Sequence, residues 1–113
     1  MIKDVKVFLS HILQSIKNIE DDTKGFTFEK FKASRTVQDA VMRNLEIMGE
    51  AARNINLEFQ KKNESIPWSN LIRMRDKLIH GYFGINVSIV WDVVKKDLPE
   101  LKEKITKTLK KLS

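Results

Sequence analysis

Residues 35–62 read RTVQDAVMRNLEIMGEAARNINLEFQKK, with apolar side chains at Val37, Val41, Leu45, Met48, Ala52, Ile55 and Phe59. Steps of three and four residues put these on one face of a helix, and they exclude a strand, whose side chains change face at every residue. The reading is one long helix from about Arg35 to Lys62. Gly49-Glu50-Ala51-Ala52 sets small residues in its middle. A mid-helix glycine costs up to about 1 kcal/mol against alanine, so a neighbouring helix is expected to approach closely there. Asn63-Glu64-Ser65 supplies the polar loop that follows.

The same period extends outward in both directions. Ile2, Val5, Phe8, Leu9, Ile12, Leu13, Ile16 and Ile19 mark a first helix from about Ile2 to Glu20, which fades through Asp21-Asp22-Thr23-Lys24 to the breaker Gly25. Thr27 with Lys30, and Phe28 with Phe31, read as a short helical segment or an ordered turn. Downstream, Pro67 suits the first turn of a helix, where its missing N–H has no partner to lose. That helix holds Trp68 to about Ile79 and then meets Gly81 and Gly84. Asn86 is an N-cap for a further helix carrying Val87, Val90, Trp91, Val94 and Leu98. Pro99 kinks or restarts it, and Leu101, Ile105, Leu109 and Leu112 continue the stripe. The expected architecture is all-α, a compact antiparallel bundle of four to five helices in a single domain over residues 1–113.

Composition narrows the function. Apolar content of 42% with four Gly and two Pro argues against disorder, and the absence of Cys excludes disulfides and thiolate chemistry. No 18-residue apolar run is present, and Met1-Ile2-Lys3-Asp4 opens a charged amphipathic pattern rather than a secretory signal. A small cytoplasmic protein is expected. The net charge of +6 favours polyanionic partners such as nucleic acid. Much of it lies in Lys102, Lys104, Lys107, Lys110 and Lys111, which the local sequence matches only with Glu103 and which read first as a solvated tail.

Candidate chemistry rests on two histidines, Tyr82, carboxylates and basic residues. His11 falls on the polar side of the first helix and reads as a solvated surface residue. The segment Arg73-Met74-Arg75-Asp76-Lys77-Leu78-Ile79-His80-Gly81-Tyr82-Phe83 differs. Arg75 lies in the middle of the arc marked by Leu71, Met74, Leu78 and Ile79, and Tyr82 falls on the same arc. An arginine among apolar side chains is costly unless it pairs, lines a cleft or snorkels outward. His80 is about 140° from Arg75 on an ideal helix, so the two converge only if the helix ends near Ile79 or a second chain contributes. Asp76 could orient Arg75 or His80, or pair with Arg73 or Lys77. Glu50, which falls away from the inward stripe, and Asn44, which lies on it and could hydrogen-bond inside an interface, are with Asp76 possible supporting residues. Trp68 and Trp91 read as core or interface aromatics. No Gly-rich phosphate loop and no His/Asp/Glu cluster with metal spacing is present, so no metal or cofactor is expected.

Arg75-Asp76-Lys77-Leu78-Ile79-His80-Gly81-Tyr82 resembles the R-x4-H-x-Y motif of HEPN domains, specifically the HepT-like toxins of toxin–antitoxin pairs. Leu45-Glu46-Ile47-Met48-Gly49-Glu50-Ala51-Ala52, Ile66-Pro67-Trp68 and Val90-Trp91 resemble further segments of that family, in the same order over most of the chain. The resemblance implies a helical bundle that dimerises with its motif helices near the two-fold axis. It also implies a metal-independent endoribonuclease with tRNA as the favoured target. The antitoxin implied is a minimal nucleotidyltransferase that silences the toxin by attaching AMP to the motif tyrosine, here Tyr82.

The residues suit that chemistry. Cleavage through the ribose 2′-OH needs a base, an acid and positive charge on the phosphorane. His80 can fill either proton role near neutral pH, Arg75 is a permanent bidentate phosphate donor, and Tyr82 can bond a phosphate or stack on a base. With one usable histidine, the chain reads as half of an active site. Two further readings stay open: a module that binds RNA or a nucleotide without cutting, and a purely structural helical partner of the nucleotidyltransferase.

Overall fold

Twenty largely apolar side chains, drawn from every long helix, converge on a single core. The structure, a computed structural model, describes residues 2–80 and 86–113. The described elements are α1 (Ile2–Thr23), α2 (Phe28–Ala33), α3 (Arg35–Asn54), α4 (Leu57–Lys62), α5 (Trp68–His80) and α6 (Val87–Asp92). A π-helical turn over Val93–Asp97 follows, and then α7 (Leu98–Leu112). All elements among the described residues are helical, as the periodicity requires. None of their helices is long and apolar enough to cross a membrane.

The stripes read from the sequence are the buried faces. Val5, Leu9, Ile12, Ile16 and Ile19 of α1 are buried, as are Val41, Leu45, Met48, Ala51 and Ala52 of α3 and Leu98, Leu101 and Ile105 of α7. The α3 helix packs against α1 on one side and α5 on the other, and α1 also meets α7. Caps stand where the side chains predict them. Thr27 accepts from the Lys30 N–H at 3.2 Å to start α2, Ser34 accepts from Val37 to start α3, and Asn86 accepts from Ser88 to start α6. Gly25, at φ +75°, takes the left-handed position just past α1.

One boundary differs from the sequence reading, Pro99 restarts its helix as expected, and Pro67 shifts by one position. The long helix expected over residues 35–62 is two helices, broken at Ile55 and Asn56, both in extended backbone. Asn56 causes the break by capping α4, its side-chain oxygen accepting from the Phe59 N–H at 2.8 Å. The Gln60 amide then donates to the carbonyls of Ala52 (3.2 Å), which also accepts from the Ile55 N–H, and of Ile55 (2.9 Å), tying the end of α3 to α4. Ile55 stays buried across the break, so apolar spacing alone could not detect it. Near Pro99, the helix widens before the proline: the Leu98 N–H reaches the Val93 carbonyl, five residues back. Proline then occupies the first turn of α7, where it does least harm. Finally, Pro67 stands just before α5 rather than within it, its carbonyl accepting from the Leu71 N–H at 3.1 Å.

The α3–α5 seam explains Gly49. A Cβ built there would clash with the Arg75 Cβ and lie 2.7 Å from the Leu71 carbonyl oxygen. The seam has no room for even one methyl group, and backbone cannot give way as a flexible side-chain end can. Gly49→Ala gains helix propensity but overpacks the contact, an effect of about 1–3 kcal/mol. We expect its thermal midpoint to fall by roughly 5–15 °C in a calorimetric scan. An unchanged or raised midpoint would show that the two helices are not in this contact.

Candidate functional site

The seam that excludes a Cβ at Gly49 also carries Arg75. Its stem lies against Gly49, with Cβ and Cγ the atoms nearest a residue placed there. Its guanidinium reaches the edge of the seam and meets two carboxylates: Nη2 stands 3.0 Å from Glu50 Oε2, and Nη1 donates to Asp76 Oδ1 at 3.0 Å. The Arg75 side chain is 20% exposed, against 50% for Glu50 and 49% for Asp76. The cation therefore has a packed stem and a wet mouth. It both snorkels and pairs, and its partners are half-exposed acids rather than a core carboxylate.

The supporting residues separate into two groups. Glu50 is exposed, as its helical position requires, yet it flanks the seam closely enough to hold Arg75. The sequence reading missed this pairing, although the adjacency of Gly49 and Glu50 signals it: the glycine lets α5 approach and the next residue meets what α5 brings. Asp76 pairs with Arg75, while Arg73 instead donates to Asn70 Oδ1 at 2.8 Å. Asn44 belongs elsewhere. It accepts from the Asn18 amide at 3.2 Å and donates to the Ala40 carbonyl at 3.0 Å. The interface it serves is the chain's own α1–α3 contact.

His80 is not brought to Arg75. The α5 helix continues through His80, one residue beyond the expected end, so the two side chains leave about 140° apart. His80 is exposed and makes no hydrogen bond or ion pair among the described residues. Tyr82, with Gly81 and Gly84, lies outside the described residues. One chain thus presents an anchored cation and a separate imidazole, not a closed site.

Other candidates resolve as structure. His11 is exposed and edges the Phe8 ring at 6.3 Å. Trp68 is buried, its indole N–H donating to the Asn63 carbonyl at 3.0 Å. Trp91 packs on Phe31 and Phe28, with Lys95 over its ring. No group of three or more potential metal ligands occurs among the described residues. The tail is less free than its local sequence suggests. Lys102 pairs with Glu20 at 2.9 Å, Lys104 with Glu100 at 3.1 Å and Lys107 with Glu103 at 3.0 Å. A cavity of about 270 Å³ between α5, the π turn and α7 is floored by Leu45, Leu71, Met74 and Leu101 and rimmed by Asp97, Glu100 and Lys104. Its carboxylate rim suits a polyanion poorly.

Comparison with known proteins places the chain in a family. The family model described as ribonuclease HepT-like matches residues 12–108. A Thermococcus cleftensis protein named "Probable ribonuclease HepT" is 44% identical over 110 residues, covering 97% of this chain and 100% of that protein. A Caldanaerobacter subterraneus protein named as an RNase is 40% identical over 110 residues, covering 97% of this chain and 98% of that one. A Methanocaldococcus jannaschii protein whose name pairs gamma-glutamylcyclotransferase with RNase is 50% identical over 112 residues. That match covers 99% of this chain, which spans half the length of that relative. No solved structure matches the chain significantly.

Because Glu50 is half exposed, its pair with Arg75 is screened and contributes little to folding. Glu50→Gln is expected to lower stability by less than about 1 kcal/mol, measured by urea unfolding. A loss several times larger would mean that the pair is a folding element rather than a support for the site.

Proposed function

The chain belongs to the ribonuclease HepT-like family, a family of RNA-cleaving enzymes, and we propose that within it the chain acts as a metal-independent endoribonuclease toxin working as a homodimer. The observation that carries this reading is the divided site. Arg75 is held at the α3–α5 edge with part of its guanidinium open to solvent, while His80 stands exposed on another face of the same helix. Each is placed to act, but not on the same phosphate from the same chain. Two copies meeting along α5 would set the arginine of one near the histidine of the other and supply two imidazoles, one for each proton.

In that arrangement Arg75 binds the scissile phosphate and stabilises the charge that builds on the phosphorane. One His80 takes the proton of the ribose 2′-OH, which attacks the adjacent phosphorus, and the other protonates the departing 5′-oxygen. Glu50 keeps Arg75 at the seam. The substrate favoured by the family resemblance is tRNA, met in the cytoplasm. The partner is a minimal nucleotidyltransferase antitoxin, which transfers AMP to Tyr82. That modification adds bulk and negative charge two residues from His80, where a polyanionic substrate must enter.

The test is cleavage of bulk tRNA in the presence of a chelator. Wild type is expected to cut. His80→Ala and Arg75→Ala, folded by circular dichroism, should each lose roughly 10²-fold or more. Specific activity should fall on dilution in parallel with the dimer fraction seen by light scattering. Persistent cleavage by folded His80→Ala would sink the mechanism, and tight salt-sensitive RNA binding without products would favour a non-catalytic binding module. Co-expression with a nucleotidyltransferase should add AMP masses that map to Tyr82 and abolish cutting. Modification confined to other residues would count against the silencing step.

A further inference from the structure

We propose that Asp76 is a shared carboxylate, holding Arg75 in the free protein and passing to His80 when a phosphate takes its place on the guanidinium. The inference rests on the ribonuclease reading and adds a positioning residue to it. It begins with charge. One guanidinium already faces two carboxylates, Glu50 and Asp76, each at 3.0 Å. A phosphodiester brought to Arg75 adds a further negative charge to a cluster that is already one negative in balance. Three anions around one cation repel one another, so one of the two resident carboxylates must yield.

Geometry selects which one. Glu50 comes from α3, whose distance to α5 is fixed by the contact at Gly49. Among the described residues, the one other group on its carboxylate besides Arg75 is the Asn54 amide at 3.4 Å, a weak neutral contact. Asp76 is the immediate neighbour of Arg75 on α5. Adjacent helix residues point about 100° apart and do not face each other, so this pair must reach around the helix. The favoured partner of a helical residue is four positions on, about 40° away. For Asp76 that residue is His80. An acid preceding a base at this spacing is the stabilising order, and His80 ends α5, where the helix dipole favours a cation.

In the free protein the permanent charge of Arg75 wins Asp76. Once a phosphate satisfies that charge, the half-exposed carboxylate can turn through solvent to His80 without crossing the core. There it accepts the imidazole N–H and fixes the ring for proton transfer. Asp76 lies between Arg75 and His80 on the wheel, the position from which one carboxylate can serve both in turn. Phosphate binding and alignment of the proton-transfer group thereby become one event, although the two residues themselves point apart.

Asp76→Asn separates this role from a structural one, because it keeps the shape and removes the charge. We expect the variant to bind an uncleavable 2′-O-methyl oligonucleotide roughly threefold to tenfold more tightly than wild type, the scale of losing one screened like charge. Single-turnover cleavage of the matching RNA should fall by roughly 10- to 100-fold. A structural role would move both in the same direction, so weaker or unchanged binding overturns the proposal, as does unchanged cleavage. In proton NMR, the oligonucleotide should shift the His80 ring resonances in wild type and not in Asp76→Asn, with His11 as the internal reference. Equal shifts in both proteins would also overturn it. Asp76→Ser carries the same comparison if the asparagine variant does not fold. Should wild type cut no RNA, the ribonuclease reading fails on that result alone. The binding and NMR comparisons still decide whether Asp76 exchanges partners.

Discussion

The contact between Gly49 and the stem of Arg75 is the constraint on which the rest of the chain is arranged. It sets α3 and α5 closer than any side chain at position 49 would permit. That closeness immobilises Cβ and Cγ of the arginine while leaving its head at the edge of the seam. The remaining helices back this pair. The α1 helix covers the other side of α3, and the core residues of α1, α3 and α7 complete one apolar interior. A bundle built only for stability would fill the seam with an aliphatic side chain. Here a small residue and a costly cation occupy it together, and consistency rules of this kind fail most often at functional positions.

The electrostatics follow from that placement. The guanidinium brings a charge that cannot be titrated away to a place only 20% exposed, so it must be paired in the resting protein. Glu50 and Asp76 meet that need with half-exposed carboxylates, which hold the head without burying the charge completely. Fully buried partners would have traded exchangeability for a deep ion pair that is hard to break. Half-exposed ones leave the pair weak enough for a phosphate to compete. The net charge of +6 plays a smaller part than its size suggests, because Lys102, Lys104 and Lys107 are each balanced by a glutamate.

Much of the fold was legible because apolar spacing and burial are the same fact seen twice. Most of the stripe residues of α1, α3 and α7 are buried and the rest of those described pack against the core, and Thr27, Asn86 and Gly25 act at the boundaries those residue types favour. The break at Ile55–Asn56 was not legible from period, since Ile55 remains in the core on both accounts. It was written instead in Asn56 and Gln60, whose side chains satisfy the backbone groups of two helix ends. Within the candidate site, Arg75 stood out as a charge within an apolar arc. Its pairing with Glu50 did not, because a helical wheel describes one helix and the pairing belongs to two.

His80 leaves α5 on a different face from Arg75. A helix that ended at Ile79 would have allowed the imidazole to fold back toward Arg75. The helix instead runs through His80, so the two side chains leave it about 140° apart. The chain could have aligned them with a spacing of three or four residues, which places neighbours on one face. The spacing of five instead sends the cation and the imidazole off different faces of α5 within a copy. In the proposed dimer the same divergence becomes useful, since each α5 can offer its arginine to one side and its histidine to the other. On that proposal activity would depend on assembly, and a modification beside His80 would act on a composite site rather than on the folding of one helix.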